Sequence, residues 1–119
     1  MIAEAVPKNN LEMPMNRIGF QFKIREDKIE EYKEIHQNVW LEMLDALREA
    51  GWHNYTLFMR EDGLVFGYFE SEVTLSEAQA RMVEKDVNTR WQKFMAPFTP
   101  ADTRPDENFV ELEEYFHLD

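Results

Sequence analysis

The sequence contains no cysteine. That excludes disulfide frameworks, thiolate nucleophiles and thiolate metal sites, and it fits a reducing compartment. Basic residues are scarce as well: 13 Lys and Arg stand against 24 Asp and Glu, for a formal net charge of -11. A phosphate backbone would be repelled, and no local Lys/Arg cluster reverses the balance, so nucleic acid is not an expected partner. The three histidines, His36, His53 and His117, lack close ligand spacing such as H-x-x-x-H, so no metal site is expected. No apolar run approaches the roughly 20 residues of a membrane span, and the opening MIAEAVPKNN has no continuous apolar h-region. The expected compartment is the cytoplasm. Gly-rich phosphate loops, a G-x-S-x-G elbow and paired carboxylates on an apolar face are also missing. No cofactor is expected, and the chemistry left open is proton transfer on a small neutral ligand.

What the chain does have is hydrophobic and aromatic content, 44% and 13% of its 119 residues, enough for one domain with a substantial core. Its organising stretch is Asp27 to Gly51, DKIEEYKEIHQNVWLEMLDALREAG. Asp27 with Glu30 has the spacing of a capping box, and Gly51 can take the left-handed conformation that stops a helix. Between them Ile29, Tyr32, His36, Val39, Trp40, Met43, Leu44 and Leu47 recur at three- and four-residue steps, which predicts one amphipathic helix. Four residues advance a helix by about 400°, so Tyr32, His36 and Trp40 are expected to form a short column on the buried face. A lone histidine on such a face is in general a satisfied core residue. The tripeptide His53-Asn54-Tyr55 and the segment around Trp91 are what favour a pocket instead.

In chain order, residues 1–16 read as an extension without a clean period, docked by Met13 and Met15. Residues 17–119 read as the folded domain. Ile18, Phe20, Phe22 and Ile24 alternate with Gly19, Gln21 and Lys23 as in a half-buried strand. After the helix, WHNYTLFMR (52–60) and LVFGYFE (64–70) are β-rich runs joined by Glu61-Asp62-Gly63, a hairpin signal. A second helix is predicted over 72–86, capped by Thr74 with Glu77, followed by a separate helical segment over 87–98 that Pro97 and Pro100 terminate. A Pro/Asp-rich loop leads to a final strand over 109–118. The order β-α-β-β-α-β is that of an α+β, ferredoxin-like antiparallel sheet with both helices on one face. The strand after the first helix is expected to place Trp52 and Phe58 on one side and Tyr55, Leu57 and Met59 on the other. A sheet apolar on both faces requires a second cover, which predicts a homodimer with sheets packed face to face.

His36 is the natural proton carrier of the organising face. Tyr32, one turn earlier, can orient it or hydrogen-bond a ligand, and Tyr55 can point at the same space. Trp91 and Phe94 share a face, and an indole beside a histidine suits the C–H face of a pyranose. Ordinary core packing is the competing reading for both tyrosines and for Trp91.

These residues also carry a resemblance. EEYKEIH with Val39-Trp40, then His53-Asn54-Tyr55, then DVNTRWQKFM and the C-terminal LEEYFHLD together resemble the L-rhamnose mutarotase family, from about Arg17 to Leu118. The resemblance implies a dimeric ferredoxin-like protein of α/β-barrel type that interconverts the α and β anomers of L-rhamnose, or a related 6-deoxy sugar, without a cofactor. It places the proton donor on His36 and sugar-binding positions on Tyr32, Tyr55, Trp91 and Gln92. The family's R-W-W-K segment here reads Arg90-Trp91-Gln92-Lys93, so one stacking surface has become a hydrogen-bonding amide and the exact sugar is left open. The family's usual proline after Trp40 is Leu41. Two other classes share features with this reading: small cofactor-free monooxygenases or haem-degrading enzymes of the same architecture, and a non-catalytic sugar-binding module.

Overall fold

The structure, a computed structural model, describes residues 14–119. The expected docking of the extension by Met13 falls outside the described residues. Four strands form one sheet: β1 (Asn16–Lys23), β2 (His53–Met59), β3 (Leu64–Ser71) and β4 (Val110–Leu112), in the spatial order β2-β3-β1-β4 with every neighbouring pair antiparallel. Four helices, α1 (Ile29–Ile35), α2 (Leu41–Glu49), α3 (Leu75–Val83) and α4 (Asp86–Met95), supply the two crossovers. This is the expected α+β arrangement.

The alternation of β1 is reproduced in its burial. Ile18, Phe20 and Phe22 are buried while their neighbours are not. They form one core with Trp52, Val65 and Phe69 from the strands and with Met43, Ala46, Leu75, Ala78, Met82, Trp91 and Met95 from the helices. Gly67, opposite Phe20 in the β1–β3 register, leaves the space that the Phe20 ring occupies. Thr74 caps α3 with its hydroxyl while Glu77 reaches back to the Thr74 amide, so the capping box forms as its spacing predicts. Gly51, at φ +92°, stops α2.

Four local expectations are corrected. The stretch from Asp27 to Gly51 is not one helix. A 3-10 turn at His36–Asn38 and extended backbone at Val39 and Trp40 separate α1 from α2. Asn38, Val39 and Trp40 are all weak helix formers, and Leu41 occupies the first helical position of α2, where a proline is tolerated. Leu41 is 79% exposed. Asp27 does not cap a helix; it lies within a 3-10 turn (Glu26–Lys28), where Arg25 holds its carboxylate at 3.5 Å.

The parity of β2 also differs. Asn54 adopts φ +50° and the β2–β3 register shifts between His53 and Thr56, a bulge that turns Trp52 to the same face as Tyr55, Leu57 and Met59. The Trp52 and Tyr55 rings accordingly lie 5.0 Å apart. Asn54 affords the left-handed conformation more readily than most residues, and its amide donates to Glu70 at 2.9 Å. Phe58 remains on the opposite face. The final strand is three residues long, because it pairs only with Gly19–Gln21 of β1 before the chain leaves the edge.

Candidate active site

A cavity of about 360 Å³ opens between the helical layer and the sheet. His36, Val39, Met43, Leu44 and Leu47 line it from the first crossover; Trp52 from just before β2 and Tyr55 and Leu57 from β2; Gln79 and Met82 from α3; Asn88, Trp91 and Gln92 from α4; Asp106 and Phe109 from the final loop. The helix break is what makes this wall. It ends α1 at the His36 imidazole and lets Trp40 leave the expected column to pack against Trp91, at 5.0 Å edge-on, and Phe94, at 5.6 Å stacked. Arg90 holds α4 to α2 through Glu42 at 3.1 Å and bonds Asp86 at 2.8 Å, with its guanidinium 6.0 Å from the Trp40 ring.

His36 is set in one tautomer. Its Nδ1 lies 2.9 Å from the Tyr32 carbonyl oxygen, which can only accept, so Nδ1 carries the proton and Nε2 presents a lone pair. Burial lowers the imidazole pKa from its ordinary 6.5, an effect the carbonyl bond partly offsets. The neutral form is therefore favoured near pH 7, as a base requires. The ring meets Tyr32 at 4.3 Å and the edge of Trp91 at 5.5 Å.

Tyr32 is buried behind His36, against Phe98, and is not among the residues lining the cavity. Tyr55 is on the wall. Burial raises both phenol pKa values, so both hydroxyls stay protonated at neutral pH. Among the described residues neither hydroxyl has a hydrogen-bond partner, an unusual condition for buried polar groups. The expected tripeptide thus delivers one wall residue: Tyr55 faces the cavity, while Asn54 bonds Glu70 on the other face.

Trp91 is buried and walls the cavity beside His36. Gln92 is also buried and on the wall, but its amide is engaged: Nε2 donates to Asn88 Oδ1 at 3.1 Å and Oε1 accepts the Asp106 backbone N–H at 3.2 Å. One Gln92 N–H is left for a ligand. Gln79, Asn88 and Asp106 complete a polar patch that sequence reasoning missed. Asn88 is one turn before Gln92 on the same helix face, a signal that was readable; Asp106 sits in a loop whose path no periodicity indicates. Among the described residues no cluster of His, Asp and Glu could hold a metal ion, and no helix is long and apolar enough to cross a membrane.

The arrangement combines a neutral imidazole with a free nitrogen, a protonated phenol, an indole wall and a polar patch. It suits reversible proton transfer on a small, hydroxyl-rich ring.

Known proteins match the chain and its fold. The model of the L-rhamnose mutarotase family matches residues 17–118. An L-rhamnose mutarotase of Oceanobacillus iheyensis is 35% identical over 106 residues, covering 88% of this chain and 100% of that protein. One from Bacillus subtilis is 37% identical over 97 residues, covering 81% and 91%. The crystal structure of an L-rhamnose mutarotase from Formosa agariphila aligns with a TM-score of 0.69 at 25% identity, over 87% of this chain and 99% of that one. With the match running from β1 to the last residues of the chain, this protein belongs to the L-rhamnose mutarotase family.

Proposed function

We propose that the protein is an isomerase that interconverts the α and β anomers of L-rhamnose, the reaction named in its relatives, by acid/base opening and closing of the sugar ring. The observation that carries the mechanism is the His36 tautomer. A neutral imidazole with Nδ1–H tied to a carbonyl offers Nε2 to the anomeric hydroxyl. Nε2 takes the O1 proton as the C1–O5 bond breaks and C1=O1 forms, and the imidazolium returns that proton to O5. The aldehyde rotates about C1–C2. Closure on the other face runs the same transfers in reverse, so atoms and electrons balance with no co-reactant. O1 and O5 share one carbon, which allows one imidazole to serve both.

The tyrosines are read as orienting groups. Tyr55 donates its unpartnered hydroxyl to the sugar, and Tyr32 backs the imidazole and fixes its ring. Trp91 stacks on the apolar face of the pyranose, and the remaining Gln92 N–H meets a sugar oxygen. Acid/base catalysis of this kind contributes on the order of 10² to 10⁴ in rate.

We read the working form as a cytoplasmic homodimer. Phe58 and Phe66 are paired across β2 and β3 on the face away from the helices and are 60% and 47% exposed, a surface that a second copy would cover. Anomer exchange of L-rhamnose, followed by NMR with and without enzyme, tests the activity; the absence of acceleration would refute it.

A further inference from the structure

The polar patch of the cavity has features that proton transfer at C1 does not use. Among the described residues Asp106 is the one carboxylate on the wall, and its side chain is only 14% exposed. Arg104 binds it through Nε to Oδ1 at 3.1 Å and Nη2 to Oδ2 at 2.9 Å, and Asn88 Nδ2 reaches Oδ2 at 3.5 Å. That leaves acceptor capacity, chiefly on Oδ1, beside an unused Gln92 N–H. The loop itself is held by its backbone, with the Asp106 N–H on Gln92 and its carbonyl accepting from Gln79 Nε2 at 2.8 Å. The carboxylate is therefore not needed to anchor residue 106.

Helix periodicity separates this patch from the proton carrier. Asn88 and Gln92 share a face of α4 that is turned roughly 60° to 100° from Trp91, the residue against His36. A pyranose with O1 and O5 at His36 turns the hydroxyls of C2 to C4 toward other parts of the wall. A carboxylate with free lone pairs accepts O–H donors, two at once when they come from a vicinal diol.

Resting on the mutarotase reading, we propose that Asp106 is a specificity-determining residue that accepts hydrogen bonds from the ring hydroxyls remote from the anomeric centre. The substrate class is a neutral sugar with a free diol at C3 and C4.

The test measures kcat/KM for anomer exchange on L-rhamnose and on its 3-deoxy and 4-deoxy analogues, with wild-type enzyme and Asp106→Asn. For the wild type, at least one analogue is expected to fall tenfold or more below L-rhamnose. For Asp106→Asn, L-rhamnose itself is expected to fall by a similar factor and the penalty for the deoxy analogue to shrink toward one. A wild-type enzyme that treats all three sugars alike overturns the proposal, whether or not the variant folds. So does a variant that loses the same factor on every sugar, which marks a structural role. No exchange of any sugar by a folded wild type would instead overturn the mutarotase reading, and this inference with it.

Discussion

The Tyr32 carbonyl oxygen accepts both the His36 backbone N–H and the His36 Nδ1–H, the latter at 2.9 Å, so one oxygen takes the bond at the C-cap of helix α1 and fixes the tautomer of the imidazole. The break in the helix and the chemistry of the site are thus one local feature. If α1 ran on through residue 40, the imidazole would share a continuous face with Trp40, and the Trp40–Trp91–Phe94 cluster that packs behind Trp91 would not form.

A pH profile follows from the burial of His36. Its folded-state pKa is below 6.5 and the base is the neutral form, so kcat/KM is expected to hold level above pH 7 and to fall as pH drops through a single ionisation below 6.5. Rates from pH 4.5 to 8.5 check this. An inflection above pH 7 would show that a different group titrates.

Tyr55→Phe separates function from packing. Its hydroxyl has no partner among the described residues, so removing it costs the fold little, within about 1 kcal/mol, and can stabilise it. Activity is expected to fall roughly 10- to 100-fold, the loss of one or two hydrogen bonds to the sugar. Urea melts beside exchange rates measure both effects. A variant with lower stability and unchanged activity would place Tyr55 in the core alone.

Much of this was readable in the residues themselves. The alternation of Ile18, Phe20 and Phe22, the Thr74–Glu77 box and the Glu61-Asp62-Gly63 hairpin are local signals that tertiary contacts reinforce, and the hairpin sets the β2–β3 pairing through its short connection. The segments carrying His36, Tyr55 and Trp91 were also legible, because chemically unusual residues interrupt an apolar pattern. The helix break was not, since the three- and four-residue spacing of the side chains continues across a turn that changes only the backbone. Nor was the bulge at Asn54, where one positive φ reversed the expected side of Trp52. Asp106 was illegible for another reason: its place depends on backbone bonds to Gln79 and Gln92, contacts made across the fold.

Gly67→Ala probes the core beneath the site. A Cβ at this position would meet the Phe20 ring, whose own contacts with Phe109, at 4.2 Å, and Phe69 leave it little freedom to retreat. Overpacking of this kind costs about 1 to 3 kcal/mol. A melting temperature unchanged by the substitution would show that the Phe20 ring moves aside.

Phe58→Lys tests the assembly. The exposed Phe58 side chain makes the change cheap for the isolated fold, while a charge buried between two sheets is costly. Light scattering is expected to show a wild-type dimer and a folded variant shifted toward monomer. A wild-type monomer at micromolar concentration removes the dimer.

The most direct test is exchange NMR on L-rhamnose at equilibrium, following the anomeric protons without enzyme, with wild type and with His36→Ala. The account predicts acceleration by the wild type and a fall of about 10² to 10⁴ in the variant, with its fold intact by circular dichroism. Full exchange activity in a folded His36→Ala enzyme would contradict it.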